Sequence, residues 1–537
     1  MGDRGRDSGR GRRECRDDRV DAEEEDWTRR RVEGLAPLVL VLTTQDAREG
    51  FCAALTSYRA CRETVLLREL NAFTLTDPDY DRRLDAYGRL AADFLGSSSD
   101  ESRGFHRFLV YQCCVDLASP NDLSLRHSAA RALGRLLEEV AGLTRPDAGT
   151  GGPAAPADAG LTLVKSVLMP EIRLRIAASA SQTVRQEHVE MVRLVARRLP
   201  GAFPELQAIT HEEDDLDFWS NVCHVQLHRR ARAFERMRRI CESTGLDPKL
   251  VESYLLALIE KAVEDDDGRG GVSASVTEAA VGCLGAFDLE EKTFLRVLER
   301  FVSLCTKGTG RRPGSASTGK GYLRAVSILL EASGGPPSGG HSGPDPGWRA
   351  GHASSDAFVE FASAKLIPFL RDNLEDRKRE CVRGPVAASM VKLLKRLPED
   401  TMRDQLPKVL QVVCNLLRAR LQRIRDDARE VLIGLATELG DAYLMYVLHV
   451  LKSSLPMRGF TAHVLGYTTY FVLEGLDAAG SLRIADDGLV TVVLSIVEGD
   501  LFGDVADAKE ASEFASSYKE SKRCKGFDIL RCVVFFG

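Results

Sequence analysis

Three stretches of this chain carry residue types whose spacing could do chemistry. The first, Gly314-Ser-Ala-Ser-Thr-Gly319-Lys320-Gly321, matches the phosphate-cradling loop GxxxxGK up to its last position. There Gly321 stands in place of the Ser or Thr whose hydroxyl reaches the magnesium ion. That loop also needs a buried strand before it and a helix N-terminus facing the phosphates. Residues 306–313 are polar and glycine-rich instead, so the stretch reads as low complexity rather than as a nucleotide site.

The second stretch, Cys223-His224-Val-Gln-Leu-His228, sets two histidines about one helical turn apart, a spacing that can hold a metal on a helix. No HExxH motif supplies the remaining ligands, so packing or solvent-facing histidines are expected. No GxSxG elbow gathers the scattered Ser, His and Asp residues into a triad. The sequence therefore assigns no catalytic, cofactor-binding or metal-binding residue, and no cofactor is expected.

The third stretch runs from Asp214 to Ile240. On a helix, Arg229, Arg232 and Arg236 fall close to one side with Arg230 and Arg238 beside it, next to an apolar face of Leu227, Ala231 and Phe234. Such a stripe can neutralise phosphates along an RNA backbone. Arg229, Arg230, Arg232 and Arg236 are thus candidate RNA-binding residues. The same residues also read as a solvated flank that pairs with the acidic run 212–217.

Positioning these groups falls to helices. Apolar residues recur at helical spacing, as in Leu406, Val409, Leu410, Val413, Leu416 and Leu417, then Val431, Leu432, Leu435 and Leu439, with a polar turn 418–422 between. A short signature repeats: an aliphatic residue with a basic neighbour, a small or aliphatic residue four places on, and an aliphatic one eight places on. It occurs at Leu125-Arg126-Ala129-Leu133, Val184-Arg185-His188-Val192, Val382-Arg383-Val386-Met390 and Ile424-Arg425-Ala428-Leu432. A weaker copy is Val276-Thr277-Ala280-Leu284, and imperfect ones begin at Leu227 and Leu323.

The steps 184 to 227, 227 to 276, 276 to 323 and 382 to 424 lie near the roughly 40–47 residue period of HEAT and armadillo units. The longer steps, 125 to 184 and 323 to 382, contain Gly/Pro-rich insertions. The pattern predicts an all-α HEAT/armadillo-type α-α superhelix, a solenoid in which the signature lines the second helix of each pair and is buried by the next unit. Pro385 and Pro407 are expected at initial helical turns, where a missing donor costs little.

Bulk composition agrees. A chain of 537 residues exceeds a single compact core. Hydrophobic residues make up 44% and aromatics only 7%, which favours packed helices over sheets. The net charge of −6 means that any polyanion contact must come from local basic stripes. The 13 cysteines lack CxxC spacing and read as buried free thiols of a reducing compartment. No run approaches transmembrane length.

The expected organisation is a disordered charged tail (1–34), N-terminal helical repeats (35–143), a loop (144–160), HEAT repeats with the basic helix (161–306), low-complexity loops around a short helix (307–355), and further HEAT repeats (356–537).

Four blocks in fixed order carry a family resemblance: Asp217-Phe-Trp with the run 223–233, the helix Ile424-Arg-Asp-Asp-Ala-Arg429, the run 448–476, and Tyr518-Lys-Glu-Ser-Lys-Arg-Cys-Lys-Gly-Phe-Asp-Ile-Leu530. Together they resemble the U3 small nucleolar RNA-associated protein 20 family, giant HEAT-repeat proteins also called Down-Regulated-In-Metastasis. The resemblance is clear from Asp214 to Leu530 and weak before that. It implies a non-catalytic scaffold of the small-subunit processome, in the nucleus and nucleolus. The implied partners are pre-ribosomal RNA, the U3 small nucleolar ribonucleoprotein and assembly factors, with no membrane and no small-molecule substrate. Within the last two blocks Arg458, His463, Lys522 and Lys525 are candidate partner-binding residues.

Family members are several times longer. The chain ends in mid-pattern at Cys532-Val-Val-Phe-Phe-Gly537, so a fragment, a truncated gene model or a split copy is expected. The competing reading is a protein-only adaptor, such as a nuclear-transport receptor or a signalling scaffold. The Trp/Asn ladder of such receptors is missing, since Trp27, Trp219 and Trp348 stand in unrelated contexts.

Overall fold

The computed structural model describes residues 30–536, leaving out 75–76, 97–102, 145–154, 266–271, 309–314, 333–354, 377–380, 456–459, 483–486, 503–518 and 522–523. Most of the tail expected at 1–34 lies outside the described residues. Residues 30–33 are helical, so order begins before the expected boundary. The reason is apolar: Ala36 and Val39 are buried, and the turn Leu38–Val41 packs on the helix His106–Leu117.

Two compact units divide the chain, one holding the helices up to Ala280 and the other those from Val281. In the first, His106–Leu117 pairs with Leu123–Thr144, Met169–Ala178 with Gln182–Arg198, and Phe218–Val222 with Leu227–Thr244. Second helices also pack on one another, as Leu123–Thr144 does on Gln182–Arg198. In the second unit the pairs are Glu291–Gly308 with Ser315–Ala332, Ile367–Leu374 with Gly384–Leu394, Glu399–Leu416 with Gln422–Leu439, and Asp487–Phe502 with Gly526–Phe536. The second helices Ser315–Ala332, Gly384–Leu394, Gln422–Leu439 and Phe460–Ala478 form a continuous packed row. Each unit is an all-α stack of helical hairpins. The sole described ladder is a two-residue one, Glu375 with Val382 and Asp376 with Cys381, which closes one hairpin turn.

The repeated signature falls on second helices, except that in the copy at Val382 the first two residues precede the helix Gly384–Leu394. Leu125, Ala129 and Leu133, and likewise Ile424, Ala428 and Leu432, are buried, with Ala129 and Ala428 letting backbones come close. Its basic residue has a job that periodicity does not reveal. Arg126 Nη1 donates to the carbonyls of Ser119 and Pro120 at 2.8 and 3.1 Å, Arg185 Nη1 to Ser179 at 2.9 Å, and Arg383 Nη1 to Asn373 at 2.6 Å. Arg425 Nη1 donates to Ala419 and Arg420 at 2.8 and 2.9 Å. Each arginine, one residue into the signature, reaches back and satisfies carbonyls that the preceding helix and turn leave without intrahelical partners. The repeat is therefore a packing face plus a turn clamp.

Three expectations need correction. Pro407 lies inside the helix Glu399–Leu416 rather than in its first turn, because Glu399 and Asp400 start that helix earlier, where acidic residues suit the dipole. Pro385 does sit at the start of Gly384–Leu394. The stretch 144–160 is not loop throughout, since the helix Ala155–Leu163 begins within it. The helix Ser315–Ala332 is likewise longer than the short helix expected within 307–355, extending the turns anchored by buried Tyr322, Leu323, Val326, Leu329 and Leu330. Tertiary burial outweighs the weak helix preference of Gly and Ser there.

Eight of the cysteines, including Cys113, Cys114 and Cys223, are free and buried. Among the described residues no single helix is long and apolar enough to cross a membrane.

Candidate nucleic-acid interface

The Asp217-Phe-Trp block is a mount for the loop before it. Asp217, fully buried, caps the helix Phe218–Val222 by accepting from Ser220 N at 2.8 Å, and it also accepts from His211 N at 2.9 Å. Asn221 Nδ2 donates to the carbonyls of Asp214 and Asp217 at 2.6 and 2.7 Å. Trp219 is buried edge-on between Phe218 and Tyr254, at centroid distances of 5.4 and 5.8 Å, and its Nε1 donates to Thr210 Oγ1 at 3.1 Å. Both ends of the loop 211–217 are thereby pinned, and Asp214 and Asp215 stand on its exposed crest.

The helix Leu227–Thr244 buries Ala231, Ala233, Phe234, Met237 and Cys241 and ends at Gly245, whose φ of 73° favours glycine. Its candidate arginines separate. Arg230 is buried, and its Nε donates to the carbonyl of His224 at 2.5 Å, so it works as a turn clamp for this repeat and is removed from the exposed stripe. Burial also lowers its pKa. Arg229, half-buried, pairs with Asp215 Oδ1 at 2.8 Å. Arg236, also half-buried, donates to the backbone carbonyl of Asp215. Arg232 is exposed.

Sequence reading missed two members of this face. Arg193 and Arg197, on the helix Gln182–Arg198, pair with Asp214 Oδ1 at 2.9 and 3.0 Å. The signal lay in the basic end of that helix, 193–198, which adjoins the loop only in the folded chain. Arginines from two helices thus converge on one acidic loop.

His224 Nδ1 accepts from the backbone N–H of Gln226 at 3.0 Å, and burial with neighbouring Arg229 and Arg230 lowers its pKa. Burial pushes the Cys223 thiol up to about 11. Among the described residues no three His, Cys, Asp or Glu side chains gather in a metal-holding group.

Of the candidate partner-binding residues, Arg458 and Lys522 lie outside the described residues. His463 is half-buried on the helix Phe460–Ala478. Lys525 is half-buried and engaged: its backbone N–H donates to Asp500 Oδ2 at 2.8 Å, its Nζ pairs with Asp528 at 2.8 Å and lies 4.0 Å from the centre of the Tyr470 ring.

The other blocks meet in a buried network. Arg425 and Arg429 of the Ile424–Arg429 block both pair with Glu520, and Arg429 Nε donates to Thr468 Oγ1 at 3.2 Å. Burial alone would raise the Glu520 carboxyl, but hydrogen bonds from Arg425 and Arg429 and the Arg429 charge overcome it and hold it at about 2.

Stacked helical hairpins with clamped turns define the class: an all-α helical-repeat protein of the HEAT/armadillo type. Two family models match the chain, that of the U3 small nucleolar RNA-associated protein 20 N-terminal region over residues 17–180 and that of the U3 small nucleolar RNA-associated protein 20 domain over residues 373–536. The chain belongs to the U3 small nucleolar RNA-associated protein 20 family. The protein of that name in Saccharomyces cerevisiae is 24% identical over 479 residues, 86% of this chain and 18% of the relative. Its Schizosaccharomyces pombe counterpart is 24% identical over 499 residues, 88% of this chain and 19% of the relative. The chain thus spans less than a fifth of these curated relatives. Among solved structures, Kap95p in its complex with Nup1 is 10% identical with a TM-score of 0.34, covering 94% of this chain and 63% of that one. Kap121p is 13% identical with a TM-score of 0.31, covering 95% and 51%.

Proposed function

We propose that this chain is a non-catalytic scaffold segment of the small-subunit processome, acting in pre-ribosomal RNA processing in the nucleolus. Its stacked hairpins would hold pre-ribosomal RNA, the U3 small nucleolar ribonucleoprotein and assembly factors. The observation that carries this reading is that two models of one RNA-associated family match opposite ends of the chain. The arginine face supports it: Arg229, Arg232 and Arg236, with Arg197 beside them, offer guanidinium groups suited to phosphate, while Arg193 is shared between Asp214 and Glu190 of its own helix. An overall charge of −6 suits an RNA contact made inside a large particle rather than by a solitary binder.

The test is affinity purification of the tagged full chain from nuclear extract, with and without nuclease. Enrichment of U3 RNA and precursor ribosomal RNA, with partners lost on RNA digestion, is the expected result. Partners fully retained after digestion, with no RNA enriched, would favour the protein-only adaptor.

A further inference from the structure

Asp214 and Asp215 are 70% and 75% exposed, yet each is turned toward arginines. Asp214 Oδ1 takes Arg193 and Arg197, and Asp215 takes Arg229 on its carboxylate and Arg236 on its carbonyl. Arg197 also donates to the carbonyl of His211 at 2.8 Å. Arginines from two helices around an oxyanion in solvent are the arrangement that phosphate recognition uses. Exposed ion pairs of this kind are individually weak. The loop backbone is tied down through Asp217 and Asn221, so the exposed Asp214 and Asp215 carboxylates are presented to this face and leave it by side-chain rotation alone.

The face continues past the loop. Arg229, Arg232, Arg236 and Arg239 step by three, four and three along one side of the helix Leu227–Thr244, a stripe of roughly 15 Å. Arg232 and Arg239 are exposed and make no ion pair with any described residue. A single carboxylate pair therefore occupies part of a face long enough for several phosphates.

We propose that Asp214 and Asp215 are a built-in phosphate mimic, an autoinhibitory contact that occupies the arginine face in the free chain and yields it to the phosphates of an RNA strand. This rests on the RNA-binding reading of that face. An RNA strand gains by displacing the mimic because it brings many phosphates and releases counterions, whereas a short or weakly charged anion cannot compete. The aspartates raise the threshold for binding and so favour ligands that cover the whole stripe.

The full chain is titrated with labelled single-stranded oligouridylate over a series of salt concentrations, as wild type, D214N/D215N, D215N and R232E/R239E. The asparagine variants keep the backbone carbonyls that Asn221 and Arg236 use, and an unchanged thermal midpoint verifies the fold. D214N/D215N is expected to bind about three- to tenfold more tightly, with a salt slope steeper by about one, and D215N to fall between it and wild type. Equal or weaker binding by D214N/D215N, in a chain whose affinity falls with R232E/R239E, overturns the mimic and leaves the RNA face standing. Equal binding by wild type and R232E/R239E overturns both. A gain seen with poly-glutamate but not with oligouridylate also overturns the proposal, since the face would then serve an acidic peptide.

Discussion

Arg425 and Glu520, 95 residues apart in the chain, are joined by two parallel hydrogen bonds in a fully buried setting: Nε to Oε1 at 2.8 Å and Nη2 to Oε2 at 2.9 Å. Arg429 adds a further bond to the same carboxylate and pairs with Asp426 as well. The side chains of Arg425, Arg429 and Glu520 are 0%, 2% and 1% exposed. The cluster ties the turn 519–521 to the row of second helices.

Removing the shared acid should therefore be costly. Glu520→Gln removes the acid shared by two buried guanidinium groups and leaves Arg425 without a counter-charge while Arg429 keeps Asp426, and a loss of about 3–5 kcal/mol is expected in denaturant unfolding of the full chain. The pH sign follows from the depressed carboxyl: its stabilisation is complete above the ordinary 4.5 and is lost as pH falls toward about 2. Wild type and Glu520→Gln should converge across that window.

The turn clamps predict a contrast between arginines of the same chain. Arg126→Leu strips the donor from the carbonyls of Ser119 and Pro120 and should cost about 1–3 kcal/mol. Arg232→Leu, on an exposed flank, should stay within about 0.5 kcal/mol of wild type. Thermal unfolding of the two variants side by side checks the assignment, and equal losses would refute it.

Ala428 is 2% exposed and sits where one second helix meets its neighbours. Ala428→Asp should cost upward of about 3 kcal/mol, because the carboxylate has no room to reach water. An unchanged melting midpoint would show that the repeat register is misplaced.

His188 occupies the same signature position as Ala428 and is held neutral. Burial, together with nearby Arg175, lowers its pKa from 6.5 to about 4 despite its Nδ1 donating to the Val184 carbonyl at 2.7 Å. Stability linked to this group is complete above pH 6.5 and is lost as pH falls toward 4, on the order of 3 kcal/mol. His188→Leu should flatten that part of the stability profile, measured as the difference between variant and wild type.

How much of this was legible in the sequence depended on the range of the interaction. The signature at Ile424-Arg425-Ala428-Leu432 gave helix, face and hairpin position, because burial every three or four residues is a local pattern. The role of its arginine was hidden, since clamping a turn depends on where a long side chain folds back. Arg230 looked like its neighbours Arg229 and Arg232, and only the turn geometry removes it from the exposed side. Arg193 and Arg197 were invisible as partners of Asp214, as was Glu520 as partner of Arg425, because tertiary folding alone brings them together.

The most direct test of the central claim is crosslinking of RNA to the full chain in nuclear particles, followed by mass spectrometric mapping of the modified peptides and sequencing of the attached RNA. The expected result is crosslinks within 193–239, carrying U3 or precursor ribosomal RNA sequence. A chain that enters the particle yet yields no crosslink on that face would contradict the assignment of the arginine face as the RNA contact.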